Sequence, residues 1–196
     1  YSWSNGQTGA VVNVLSANNY SLTVTDVNGC ISSAFVTINE PPVLSTTATA
    51  TPVLCNGGNN GSAIISASGG TSGYFYSWSN GQTVPVAISL SATTYTVKVT
   101  DANGCTVASS VTIPEPPLLV IGITSDSANC NQADGSAGIN VTGGTPGYSY
   151  VWSNNQSTIS VTGLFFGNYS VTVTDNNGCM QTASTAVANN LGVIAQ

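Results

Sequence analysis

Apolar and polar residues alternate along three well-separated segments of this chain. Tyr20, Leu22 and Val24 are interleaved with Ser21 and Thr23, and Tyr95, Val97 and Val99 with Thr96 and Lys98. Tyr169, Val171 and Val173 are interleaved with Ser170 and Thr172 in the same way. A period of two marks a strand with one face buried and the other in water. Gly, Asn and Pro clusters interrupt the pattern roughly every eight to twelve residues, a rhythm that suits an all-β sandwich and leaves no room for helices. In the middle of the chain the pattern predicts strands near 44–53, 62–68, 74–79, 84–90, 94–100 and 106–113.

The pattern also repeats at long range. The octapeptide "YSWSNGQT" at 1–8 recurs at 76–83, and "YVWSNNQS" stands at 150–157. Trp3, Trp78 and Trp152 are 75 and 74 residues apart, as are Cys30, Cys105 and Cys179. Two unrelated residue types with one period mean a tandem array. The fold class is therefore tandem immunoglobulin-like β-sandwich repeats of about 75 residues, a size that just builds its own core. Residues 1–40 read as the C-terminal part of a repeat, 41–115 and 116–190 as complete repeats, and 191–196 as the start of a further linker or domain. With no initiator Met or leader, the chain is expected to be a piece of a longer polypeptide, so the missing leader says nothing about location.

Each recurring motif has a folding role. Tyr76 and Trp78, two apart, fall on the core face, and "SNGQ" is a tight turn whose Asn-Gly supplies positive φ. In the third copy Asn155 takes the place of Gly81, and Asn tolerates that conformation next best. "LFFGNY" at 164–169 reads as a corner before a core strand, with Leu164 and Tyr169 as anchors and Gly167 at the turn. The other copies pair Leu15 with Tyr20 and Leu90 with Tyr95, with Asn18 and Thr93 at the turn. A buried tyrosine at such a corner ties its hydroxyl back to the backbone. The expected core is thus Trp3, Trp78, Trp152, Tyr20, Tyr95, Tyr169, Leu15, Leu90 and Leu164. "VTDVNGC", "VTDANGC" and "VTDNNGC" form a last hairpin in which Asp26, Asp101 or Asp175 accepts local backbone bonds and Gly29, Gly104 or Gly178 turns the chain. "NEPPV" and "PEPPL" are short, semi-rigid Pro-Pro joints.

Composition narrows the function. Only 4% of residues are charged, with one Lys or Arg, no His and seven acids, for a net charge of −6. A protein that neutralises phosphates needs a basic surface, so nucleic acid is a poor partner. The longest aliphatic run, "LLVIGI" at 118–123, is far short of the ~20 residues of a membrane-spanning helix. Regular Val, Ile, Tyr and Trp argue against disorder. Without His or Arg, and with acids scattered in turns and joints, no base–nucleophile pair or anion clamp can be assembled. Asp126 and Asp134 flank Cys130 in the third repeat, but the second repeat has no acid at either place. The reading is of a protein without catalysis, cofactor or metal. "DxNG" resembles the start of a calcium loop, yet the later acidic ligands are missing, and a turn accounts for it. Lys98, which could suggest an isopeptide cross-link, has no counterpart in the other copies. Phe75, Phe165 and Phe166 are candidate platforms for sugar rings, although their counterparts are Ser149, Ser91 and Ala92.

Cysteines stand at 30, 55, 105, 130 and 179, without the close pairs of a zinc site. Two pairings respect the repeat. One lies within repeats, Cys55 with Cys105 and Cys130 with Cys179. The other crosses joints, Cys30 with Cys55 and Cys105 with Cys130. Four apolar runs separate Cys55 from Cys105, and an even number of antiparallel strands returns the chain to the same end. Across a joint, 25 residues at ~3.3 Å each carry the two sulfurs far apart. The within-repeat bridge is therefore expected, with Cys30 bound to a cysteine upstream of Tyr1. A short extra strand after Gln82 would reverse the parity. Disulfides also place the protein in an oxidising compartment.

Taken together, "CNGGNNGSAIISASGGTSGYFYSWSNGQT", "LFFGNYSVTVTDNNGC" and "TIPEPP" resemble the SprB-type repeat of very large surface proteins in the Bacteroidota. The ordered pattern covers both complete repeats and the opening half. The departures are Thr93 and Asn18 for the corner glycine, and "ANNLG" at 188–192 in place of Glu-Pro-Pro. The resemblance implies an extracellular, cell-surface protein exported by the type IX system, whose repeats form the length of an adhesin propelled by gliding machinery. It implies neighbouring repeats as the immediate partners, with surface polysaccharide or the gliding machinery engaged through other regions. It also implies O-glycosylation at Ser127 in "DSA", and it offers no catalytic residues. Two other readings remain beside the stalk: a self-assembling extracellular fibre, and carbohydrate-binding repeats.

Overall fold

The computed structural model describes residues 1–130 and 132–190, so the segment 191–196 expected to begin a further linker or domain lies outside the described residues. Among the described residues every regular element is a strand. The middle of the chain builds one sheet from β4 (Ser45–Thr51), β5 (Gly61–Ser68) and β7 (Val86–Leu90), in the order β4-β5-β7. A second sheet has the order β6-β8-β9, from β6 (Phe75–Trp78), β8 (Thr94–Thr100) and β9 (Thr106–Thr112). First, second and fifth strands on one sheet and third, sixth and seventh on the other is the immunoglobulin arrangement without its fourth strand.

The two sheets close over the residues that the alternation pointed inward. Val97 and Val99 of β8 are buried with Trp78, Ile65, Ala63, Leu90 and Ile113, whereas the adjacent Thr96 and Lys98 are exposed. The last stretch repeats the design with sheets β10-β12-β14 and β13-β15-β16. Their strands are β10 (Val120–Asp126), β12 (Gly135–Thr142), β13 (Ser149–Trp152), β14 (Ser160–Leu164), β15 (Gly167–Thr174) and β16 (Met180–Val187). A short parallel pair, β11 (Ala128–Asn129) with β17 (Asn189–Asn190), closes one edge. Its core of Trp152, Ile139, Ala137, Leu164, Val171, Val173 and Val187 matches the middle core position for position. The opening segment has one sheet only, β1-β2-β3, from β1 (Ser2–Trp3), β2 (Asn18–Thr25) and β3 (Ile31–Ile38).

Strand directions settle the geometry of the ends. β5 is antiparallel to β7 and β6 is antiparallel to β8. Because the three-residue turn Ser91–Thr93 reverses the chain between β7 and β8, β6 and β7 must run the same way. The stretch 79–85 therefore crosses the sandwich between them. It is pinned as it crosses: the Trp78 indole Nε1 donates to the Val84 carbonyl at 2.9 Å, and the Ile65 N–H donates to the Pro85 carbonyl at 2.9 Å. The Gln82 side chain donates to the Ile88 carbonyl and accepts from the Ile88 N–H, as a strand backbone would.

Candidate functional site

That crossing corrects the expected disulfides. β6, beside Val97–Thr100, and β7, beside Gly61–Ile64, run the same way and share one pass. Three passes, not four, therefore separate Cys55 from Cys105, and the two lie at opposite ends of their sandwich. Cys55 instead bridges Cys179 of the next sandwich, with Cα atoms 5.6 Å apart and a sequence separation of 124. The pairings Cys55 with Cys105 and Cys130 with Cys179 are not formed; Cys30, Cys105 and Cys130 are free and exposed. β9 ends at the same end of the middle sandwich as Cys55, and the Pro-Pro joint leads from there to the end of the next sandwich that carries Cys179. Repeat spacing points to joint-crossing bridges only between cysteines 25 residues apart, and so misses the pair on facing ends.

The joint is built from both sides. From the middle sandwich, the loop after β4 carries Leu54, Cys55 and Asn56. The Val53 N–H donates to the Pro114 carbonyl at 3.0 Å, the Asn56 amide to the Pro116 carbonyl at 3.0 Å, and the Gly57 N–H to Glu115 Oε2 at 2.8 Å. The loop is thereby laced to "PEPP". From the following sandwich comes the Asp-Asn-Asn-Gly-Cys hairpin. Asp175 is buried, its Oδ1 accepting the N–H groups of Asn177 and Cys179 and its Oδ2 that of Thr145. The Asn177 amide donates both to Thr145 Oγ1 and across the joint to the Leu54 carbonyl, each at 2.9 Å. Beside the bridge lies a cleft of about 380 Å³, floored by Pro116, Pro117 and Leu119.

The Gly-Gly-Thr triplet explains how a proline-rich joint can lie so close. Gly143 and Gly144 both have positive φ, and a Cβ on Gly143 would run into the Leu118 carbonyl. The Gly144 N–H donates to the Pro117 carbonyl at 2.8 Å, while the Tyr148 hydroxyl holds the Gly143 carbonyl at 2.6 Å. Gly69, Gly70 and Tyr74 repeat this at the preceding joint. The sequence alone assigns no role to these glycines, nor to Asn177 and Thr145. Their recurrence as "GGT" and "DxNGC" at matching distances was the signal that could have found them.

Burial pushes the Asp175 carboxyl up, but the N–H groups of Thr145, Cys179, Asn177 and Gly178 outweigh it and hold the carboxyl below the ordinary aspartate range. At Asp101 the Thr71 N–H is the largest influence; burial opposes it, Cys105, Asn103 and Gly104 add to it, and the carboxyl is again held low. Both carboxylates thus spend their lone pairs on backbone donors, which is the chemistry of a turn and not of a cation loop. Asp26 accepts Asn28 and Cys30 N–H groups at 2.8 Å. Among the described residues no three His, Cys, Asp or Glu side chains are grouped to hold a metal, and no helix is long and apolar enough to cross a membrane.

The other singled-out residues fall as follows. Trp78, Trp152, Tyr20, Leu90 and Leu164 are buried, whereas Trp3, Tyr95, Tyr169 and Leu15 are half-buried. The three corner tyrosines donate to the carbonyl four residues upstream: Tyr20 to Ser16, Tyr95 to Ser91 and Tyr169 to Phe165. Gly29, Gly104 and Gly178 all have positive φ, as does Asn155. Ser127 is exposed, and Asp126 beside it accepts the Ser136 hydroxyl at 2.7 Å. Phe75, Phe165 and Phe166 are exposed.

Solved structures to which the chain is similar include the N-terminal eight Ig domains of Down Syndrome Cell Adhesion Molecule isoform 1.30.30, at 14% identity over 89% of this chain and 27% of that one, TM-score 0.38. A second Dscam structure, concerned with isoform specificity, is similar at 12% identity over 88% of this chain and 54% of that one, TM-score 0.34. The amphioxus IgVJ-C2 molecule follows at 11% identity, covering 76% and 98% of the two chains, TM-score 0.30. No curated protein matches the chain. Residues 47–83 and 122–157, each running from the first strand of a sandwich through its Trp-Ser-Asn turn, match the family model of the SprB repeat, so the chain carries two SprB-repeat segments.

Proposed function

We propose that these repeats form a force-carrying stalk segment of a secreted cell-surface adhesin, without catalysis of their own. The observation that carries this reading is the Cys55–Cys179 bridge, which fastens one sandwich to the next across their joint. Tension applied to the chain ends runs through that covalent bond and bypasses the 124-residue span it closes. Bridges of this kind persist where thiols are oxidised, which suits an extracellular position. The finer setting that suits such a stalk is the gliding surface of a type IX-secreting bacterium, with surface polysaccharide or the gliding machinery engaged through other regions and neighbouring repeats as the direct partners. A nearly charge-free exterior keeps the segment's contacts insensitive to salt.

Single-molecule stretching tests the reading. Pulled from its ends under oxidising conditions, the chain should release no length from between the bridged cysteines. Adding a reductant should release roughly 400–450 Å more, the extended length of that span. Equal extension before and after reduction would sink the stalk reading. Exposed Phe75, Phe165 and Phe166 favour a second reading, carbohydrate binding by individual repeats. A glycan array on which wild type and the three alanine variants behave alike would dismiss it.

A further inference from the structure

The joint ahead of the middle sandwich is a copy of the stapled one with its cysteine loop missing. Asp101 Oδ1 accepts the N–H groups of Asn103 and Cys105, and Oδ2 that of Thr71, as Asp175 does for Asn177, Cys179 and Thr145. The Asn103 amide donates to Thr71 Oγ1 at 2.8 Å, matching Asn177 on Thr145. The Gly70 N–H donates to the Pro42 carbonyl as Gly144 does to that of Pro117. The cleft here measures about 360 Å³, against about 380 Å³ at the stapled joint. Two things differ. Asn177 spends its second amide hydrogen on the Leu54 carbonyl, for which Asn103 has no equivalent, and Cys105 is a free, exposed thiol where Cys179 is bridged.

The donor half of the staple is also present twice. The Leu54 N–H is held by Asn60 Oδ1 at 2.9 Å, and the Asn129 N–H by Asp134 Oδ1 at 2.8 Å. In both, the residue before the cysteine is clamped by the residue before a buried glycine, Gly61 or Gly135. That clamp leaves the carbonyl ahead of Cys55 turned out for the Asn177 amide, whereas the Asn129 carbonyl ahead of Cys130 accepts the Gln132 N–H at 2.6 Å within its own loop.

We propose that the Cys105 cleft is a disulfide acceptor site for the cysteine loop of the repeat that precedes its joint, and that Cys130 is a donor of the same kind. The occupant has the chemistry of Leu54–Asn60: an apolar residue, cysteine and asparagine on a short glycine-rich loop. Two thiols are oxidised to one disulfide, and a disulfide oxidant takes up the two electrons and two protons and leaves as two thiols. Cys30, at the same end of the opening sheet as Cys105 is of its own, is an acceptor by the same geometry. Every repeat would then be stapled to the next, so that tension passes from bridge to bridge. The pairing rule does not depend on the stalk reading, because it concerns which sulfurs meet and not what the array is for.

The test completes the opening sandwich. Tyr1 corresponds to Tyr76, so a copy of residues 41–75 is fused directly ahead of Tyr1 of the full chain, and the protein is folded in a glutathione redox buffer. Bridges are mapped by non-reducing peptic digestion and mass spectrometry. The copied cysteine should bind Cys105, 125 residues downstream, while Cys55–Cys179 persists and Cys30 and Cys130 stay reduced. A bridge from the copied cysteine to Cys30, or free thiols at both it and Cys105 in a protein whose Trp3 fluorescence shows burial, overturns the proposal. Should the added half leave Trp3 exposed, a peptide copying residues 51–62 decides the matter with the unmodified chain. Relative to glutathione, docking should make it couple about tenfold faster at Cys105 than at Cys130; equal rates overturn the proposal.

Discussion

The opening sheet and the sheet of the middle sandwich begin with the same eight residues and end in different environments. Trp3 and Trp78 make the same turn: each indole Nε1 donates to the carbonyl six residues on, Gly9 or Val84, at 2.9 Å. Each is followed by a glycine with positive φ, Gly6 or Gly81. Yet Trp78 is 3% exposed, while Trp3 is only half-buried. Two strands over in each sheet, Val36 is 40% exposed against 9% for its copy Val111. The octapeptide carries its own turn wherever it stands, because the turn's bonds are local. Burial comes from the opposite sheet, which the opening segment lacks.

The largest way to break this comparison is to cut the staple. Cys55→Ser removes a cross-link that only the two closed sandwiches share. In the chain-entropy model a loop of this length is worth up to about 5 kcal/mol. Calorimetry should show the transitions of the middle and last sandwiches falling and that of the opening sheet unmoved. A uniform shift would mean that all three melt as one body.

Truncating the tryptophans sharpens the same contrast. Trp152→Ala empties a fully enclosed site and should cost about 3–5 kcal/mol. Trp3→Ala removes a side chain that is partly in water already, and should cost less than half as much. Urea unfolding followed by far-ultraviolet dichroism measures both, and equal losses would show that the opening sheet buries its tryptophan against something else.

Acid gives the smallest effect. Asp101 and Asp175 have depressed folded-state values, so the stability they contribute is fully present above the unfolded aspartate value of about 3.9. It is lost as the pH falls below that value through the depressed one. Melting temperatures taken from pH 7 to pH 2 should hold steady and then drop below about pH 4. The Asp101→Asn, Asp175→Asn double variant should start lower and show a shallower drop; an unchanged acid profile would remove these carboxylates from the account.

Strand positions, the alternation of buried and exposed residues along a strand, and turn chemistry were legible in the sequence because they depend on neighbours a few residues apart. The alternation around Val97 and Val99, the tyrosine corners and the Asn-Gly turns belong to that class. The cysteine pairing was not legible. It turned on whether the chain from Ser79 to Pro85 crosses the sandwich, a stretch too short and too rich in turn residues to show a period. One crossing inverts the parity and sends Cys55 to the far end from Cys105.

What the sequence determined by itself is the repeat, the strands within it and the turns between them. Each follows from backbone sterics and the two-residue period of a half-buried strand. Only the tertiary structure decided which ends face each other, and so which sulfurs meet. That choice depends on the direction of every strand at once and on double glycines that let a proline joint lie against the next sandwich. No local window of residues contains that information, because a bridge spanning 124 residues is set by where two remote loops arrive in space.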